Sequence, residues 1–203
     1  MSVLSRLLGD MLFRSRKVPS PPQDNGPGAL AKAAGHLGSG RTDQALALCT
    51  QVVERDSTNP QALHMKGAIM AQRGEYQPAE ESLRLALALD PHRTDAWVDL
   101  GRVLRLRDSW DEALACYARA LEIDSRHVLA AYGQCQVLAH SGRASEAIDA
   151  LQARVVLDYD PLLLRALVAL LVKERQFETA RQLCEQALVR NPDHPEAQSG
   201  LGY

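Results

Sequence analysis

A period of 34 residues constrains this chain more than any other feature. Ala45, Ala79, Ala113, Ala147 and Ala180 stand 34, 34, 34 and 33 residues apart. Alanine is about one residue in seven, so this ladder alone is weak. A second ladder in phase with it, Asp56, Asp90, Asp124, Asp158 and Asn191, repeats the spacing with another residue type. Small residues stand twelve positions before four of the alanines (Ala33, Gly67, Gly101, Cys135), and Val168 interrupts the series. Fixed periods of this length imply units that bury their apolar faces only against their neighbours, stacked in a line rather than folded around one centre.

Residues 96–124, AWVDLGRVLRLRDSWDEALACYARALEID, show what one unit contains. Trp97, Leu100, Gly101 and Leu104 recur at three- and four-residue steps, which is one face of a helix. Gly101 and Ala113 lack bulk where two helices would cross. Ser109 and Glu112 have the S-x-x-E spacing of a capping box, which would start the second helix. Gly40, Gly74 and Gly142 fall where three of the turns within a pair need a left-handed residue. Pro60, Pro91, Pro161, Pro192 and Pro195 punctuate the links between units, where a missing N–H is tolerated. The fold class read from this pattern is all-α.

These residues resemble the tetratricopeptide repeat family. Trp97, Leu100 and Gly101 match its W-x-x-L-G opening, Leu104 replaces its usual Tyr, and Ala113, Tyr117 and Ala120 match its second-helix signature. In that register five repeats run 26–59, 60–93, 94–127, 128–160 and 161–194, and 195–203 starts a sixth helix or a partial cap. Repeats one and four match less closely: Ala29 and Ala131 stand in the Trp97 position, and Arg154 replaces a small residue. The resemblance implies a right-handed superhelical solenoid of antiparallel helix pairs that binds peptides or proteins and has no chemistry of its own.

Composition narrows the function further. A net charge of −2 argues against a general nucleic-acid binder. Aromatic residues at 4% provide no stacking platform for single strands. No apolar run approaches the length of a membrane span. Cys49, Cys116, Cys135 and Cys184 show no C-x-x-C spacing and are read as reduced core thiols in a cytoplasmic setting. The six histidines show no metal-ligand spacing. No phosphate loop and no nucleophile with a neighbouring base occurs, so no enzyme activity, cofactor or metal is expected.

The resemblance also implies where a ligand would lie, because in this family the first helix of each pair lines the concave wall. The positions concerned include Gln61 and His64; Asp95, Asp99, Arg102 and Arg105; Tyr132 and Gln136; and Arg165. Leu30, Ala34 and Leu37 would form an apolar entrance at the first repeat. Asp99 and Arg102, three residues apart, also have the spacing of a simple surface ion pair. The asparagines with which some members clamp a C-terminal carboxylate are replaced by Ala34, Met65 and Ala68, so that mode is not expected here. An extended segment of mixed polarity, or a helix, is the expected ligand class.

The chain ends differ from the repeats. In residues 1–17, Val3, Leu4, Leu7, Leu8, Met11 and Leu12 share one helical face, with Arg6, Asp10 and Arg14 opposite. Residues 18–25 form a Pro/Gly-rich linker. This tethered amphipathic helix has three readings: it docks on the chain itself, it binds a partner, or it lies peripherally on an anionic membrane. A mitochondrial-type presequence is weakened by Asp10. At the other end an incompletely capped solenoid exposes a face suited to self-association.

The expected function is a non-enzymatic adaptor or scaffold that binds a protein or peptide partner. The alanine-, leucine- and arginine-rich composition points to a bacterial source. Two alternatives stand beside this reading. One is a targeting or regulatory domain of a larger enzyme, such as a glycosyltransferase. The other is a membrane-peripheral assembly factor anchored by residues 1–17.

Overall fold

The computed structural model describes residues 27–200 of the 203-residue chain, and the amphipathic segment 1–17 lies outside them. Eleven helices are described: α1 (Pro27–Gly38), α2 (Thr42–Arg55), α3 (Pro60–Gln72), α4 (Tyr76–Leu89), α5 (Thr94–Leu106), α6 (Trp110–Ile123), α7 (Val128–His140), α8 (Ala144–Asp158), α9 (Pro161–Lys173), α10 (Phe177–Arg190) and α11 (Pro195–Gly200). Among the described residues there is no strand. Nor is any helix long and apolar enough to cross a membrane. Consecutive helices pair into five hairpins, and each hairpin packs on the next. The fold is an all-α helical solenoid.

All five hairpin turns use one device. The second residue after the first helix adopts a left-handed conformation, at Gly40, Gly74, Asp108, Gly142 and Arg175. The next N–H then reaches back to a carbonyl in the last turn: Arg41 to His36, Glu75 to Met70, Ser109 to Leu104, Arg143 to Leu138 and Gln176 to Leu171, at 2.8–2.9 Å. This is the Schellman closure, which satisfies carbonyls that a helix end leaves bare. Three turns use glycine, which enters that region freely, and two do not.

The Asp/Asn ladder closes the second helices. Asp56, Asp90, Asp124 and Asn191 each follow a second helix, and each side-chain oxygen accepts the N–H two residues on, from Thr58, His92, Arg126 and Asp193. The fourth rung departs from this. α8 runs through Asp158, and Tyr159 closes it in the left-handed region. The link to α9 has two residues instead of four while α8 is one residue longer than the other second helices, so the period falls to 33 there.

The expected capping box at Ser109 and Glu112 does not form. Ser109 precedes α6 but its side chain makes no capping hydrogen bond. Glu112 instead accepts from Arg84 Nη2 at 2.6 Å, because α4 of the previous hairpin brings a guanidinium within reach. Histidines take over capping elsewhere. His127 Nδ1 accepts from the Ala130 N–H, and His194 Nδ1 accepts from that of Ala197. His194 is buried, and its Nε2 lies 2.8 Å from the carbonyl of Tyr159, which ties the last link to the one before it.

The core follows the line of hairpins. One apolar cluster runs from Ala71 to Ala197, and another joins the first hairpin to α3. The ladder alanines Ala45, Ala79, Ala113, Ala147 and Ala180 are all buried in it. First helices of successive hairpins touch one another from α3 to α11, whereas second helices make no comparable contact. The first helices therefore crowd onto an inner wall and the second helices fan out behind them.

Candidate binding groove

The inner wall carries an ordered polar cluster at its middle. His64 on α3 places Nε2 2.9 Å from Asp99 Oδ2 on α5, and Arg102 Nη2 donates to Asp99 Oδ1 at 2.8 Å. Burial pushes the Asp99 carboxyl up, but the hydrogen bond and charge of His64 and the guanidinium of Arg102 outweigh it. The net result is a carboxylate held below its ordinary value. Asp99 therefore stays ionised while flanked by partners from two hairpins.

One turn along α5, Arg105 is held differently. Tyr117 rises from α6 and passes between two glycines: a Cβ on Gly101 would lie 2.9 Å from its ring, and one on Gly133 of α7 would lie 2.4 Å away. No side chain fits at either position while the ring is there. The phenol is buried, with the guanidinium of Arg105 close enough to act on it electrostatically. Burial pushes this phenol up, against the pull of Arg105 and Arg102. Tyr117 thus crosses from the second-helix layer to support a guanidinium on the groove side. The Nε of Arg105 is itself buried with no hydrogen-bond partner.

The other expected groove residues are spread along the wall. Asp95 is exposed and its Oδ1 lies 3.1 Å from His127 Nε2. Tyr132 and Gln136 stand half-buried on α7, and Gln61 is exposed on α3. Among the described residues none of these three has a side-chain hydrogen bond. Arg165 on α9 faces Glu196 of α11 at 3.6 Å. Together with Val168, Ala169, Val172, Ser199 and Gly200 they line a cleft of about 280 Å³.

So the structure joins His64, Asp99 and Arg102 in one cluster, sets Arg105 beside it, and leaves Arg165 two hairpins away. Leu30 does not form an entrance. Only 3% of it is exposed, because α1 turns it into the first hairpin's core, while Leu37 is half-buried against that core and Ala34 is exposed. Two residues that matter to the wall, Tyr117 and His127, were outside the expected set. For Tyr117 the available signal was its position opposite Gly101.

All four cysteines are free and buried, and burial pushes the Cys49, Cys116 and Cys135 thiols up to about 11. Among the described residues no group of three or more His, Cys, Asp or Glu side chains is arranged to hold a metal ion.

Helical hairpins in serial order, with a side-chain-lined inner wall, define a repeat protein of the interaction class. Sequence profiles of the tetratricopeptide repeat match residues 36–97, 94–127 and 161–203, together more than half of the chain. The chain belongs to the tetratricopeptide repeat family. One similar protein is a tetratricopeptide repeat and J domain-containing co-chaperone from Fusarium oxysporum f. sp. lycopersici, 32% identical over 45% of this chain. The match spans only 18% of that relative's length. Among solved structures, Pseudomonas aeruginosa pilF superposes with a TM-score of 0.70 at 20% identity, covering 85% of this chain and 86% of its own. YrrB, described as a TPR protein with an unusual peptide-binding site, superposes with a TM-score of 0.65 at 19% identity, covering 100% and 99%. Likeness at these identities concerns the fold.

Proposed function

We propose that this chain is a non-enzymatic adaptor whose concave wall binds a segment of a partner protein. The observation that carries the reading is the His64–Asp99–Arg102 cluster with Arg105 beside it. Side chains from two hairpins hold one another at 2.8–2.9 Å on the inner wall, away from the apolar seams that stabilise the fold. Positions fixed in advance lose less entropy on binding. The remaining groove residues, Gln61, Asp95, Tyr132, Gln136 and Arg165, extend the surface on both sides. The reading is supported by YrrB, a protein of similar fold described as having an unusual peptide-binding site.

The test is retrieval of partners from lysate by wild type and by the Arg102→Ala, Arg105→Ala, Tyr132→Ala triple variant. Circular dichroism and Tm should be nearly unchanged. Affinity for the partner retrieved by wild type should fall about tenfold or more, as for loss of at least one hot spot. Equal binding by the triple variant would move the site to the convex side or to an end.

A further inference from the structure

The charges on the inner wall do not balance. Asp99 is matched by His64 and Arg102, Asp95 lies against His127, and Glu196 faces Arg165. Arg105 has no acid within ion-pair distance among the described residues, and its buried Nε has no hydrogen-bond partner. Lys173, on the same wall, has no acid against it among the described residues. With histidines neutral, four cations (Arg102, Arg105, Arg165, Lys173) stand against three anions (Asp95, Asp99, Glu196), so these side chains keep one excess positive charge although the whole chain carries −2. Arg105 is half-buried, and a guanidinium without an acid beside it gains most from a carboxylate, through short charge-assisted hydrogen bonds.

Two hairpins further on, the wall changes character. The cleft between α9 and α11 is floored by Val168, Ala169, Val172 and Gly200. Its 280 Å³ lies just below the range of whole small-molecule sites and suits one large apolar side chain. Packed helices lie roughly 10 Å apart, so two hairpin steps separate Arg105 from the cleft by roughly 20 Å. An extended segment covers that in about six residues.

We propose that the groove ligand is an acidic-and-apolar segment, with a carboxylate at Arg105 and a bulky apolar side chain in the α9/α11 cleft, about six residues apart. This rests on the groove reading above and gives it a chemistry. Tyr132 and Gln136, on the intervening α7, face the stretch between the two anchors.

The experiment is fluorescence anisotropy with fluorescein-labelled synthetic peptides in low salt. Each peptide carries a glutamate pair and one phenylalanine in a Gly/Ser/Gln background, separated by two, six or ten residues, in both orders. The six-residue spacing should bind at least fivefold tighter than the two-residue one. Replacing the glutamates by glutamine, or the phenylalanine by alanine, should each remove most of that gain. Arg105→Glu should switch the preference from the glutamate peptide to one carrying lysines. Arg105→Gln, a gentler change, should abolish the glutamate preference without creating the lysine one. Ala169→Glu should weaken the phenylalanine contribution and leave the glutamate-to-glutamine ratio intact.

Equal binding of glutamate and glutamine peptides, or an Arg105→Glu variant with unaltered preference, overturns the inference. If neutral or basic peptides bind and lose affinity in the triple groove variant, the groove reading survives and this one falls. Absence of binding by every peptide also overturns it, and partner retrieval from lysate then judges the groove reading separately.

Discussion

At the crossing of α5 and α6 the small residue sits on the first helix, Gly101, and the large one on the second, Tyr117. At the crossing of α9 and α10 the order is reversed: Val168 occupies the glycine position and Cys184 the tyrosine position. Both crossings are sealed, with Tyr117 and Cys184 buried and Val168 nearly so. Leu164, Leu167 and Leu171 fill the space around the second crossing. At these two crossings the summed volume is thus similar while the residue at each position differs, as expected of cores that tolerate volume-preserving exchange. The consequence is functional as well as structural. Among the described hairpins, the third alone has a hydroxyl-tipped side chain at this position, where the others have Cys49, Leu83, Leu151 and Cys184.

The largest test of this contrast is Tyr117→Ala against Cys184→Ala. Removing a buried aromatic ring between two glycines should cost about 3–5 kcal/mol. Cys184→Ala removes one sulfur atom and should cost far less. Urea denaturation followed by circular dichroism measures both, and equal losses would deny that the seams differ.

Alkaline pH provides the next test. The Cys116 and Cys135 thiols are raised from 9.0 to about 11, chiefly by burial, whereas the Cys184 thiol is raised less far. An unfolded chain ionises these thiols first, so between those values it holds fewer protons than the folded chain. Their contribution is whole below pH 9 and is lost as pH climbs through 11, by about 2–3 kcal/mol for each of the two. Stability should accordingly fall steeply across that window. Mutation of Cys116 and Cys135 to alanine should flatten the fall more than mutation of Cys184.

A third variant converts one seam into the other. Cys184→Tyr alone should overpack the fifth hairpin and cost about 1–3 kcal/mol. Gly200 already occupies the place that Gly133 holds beside Tyr117, and a Cβ there would lie 2.6 Å from Cys184 Sγ. Val168 is then the remaining obstacle, so adding Val168→Gly should recover part of the loss. A double-mutant cycle showing no coupling would break the argument.

The smallest effect concerns what the two hairpins share. Asp108 and Arg175 close their turns at φ 61° and 60°, where glycine closes the other three. Arg175→Gly should raise stability by up to about 1 kcal/mol, since relief of left-handed strain is offset by glycine's greater freedom when unfolded. Asp108→Gly should gain less, because aspartate enters that region more readily. Thermal melts resolve both.

Most of the architecture was legible because it depends on local spacing. The Asp/Asn ladder marked helix ends, and four rungs do act there through their own side chains. The fourth rung misled because Tyr159, not Asp158, ends α8, a shift that a missing link residue makes possible. Ser109 and Glu112 misled because a local motif competed with Arg84, which lies 28 residues away in sequence. At the groove, the Asp99–Arg102 pair followed from helical spacing. Its third member, His64, comes from another hairpin, as does the seam glycine Gly133. Arg107 likewise pairs across a seam, with Glu80 of α4. Contacts across a seam depend on how far one hairpin is rotated on the next, and no single unit encodes that angle.

The serial order of contacts also governs how the molecule would carry load. Among the described residues each hairpin packs on its neighbours, so tension applied to the two ends of the solenoid passes through every seam in turn, as through springs in series. The weakest seam then sets the force at which the solenoid begins to lengthen. Each hairpin that yields would release roughly 100 Å of extended polypeptide. The solenoid would therefore lengthen in steps, one hairpin at a time, with the closed seams remaining folded beside the open one.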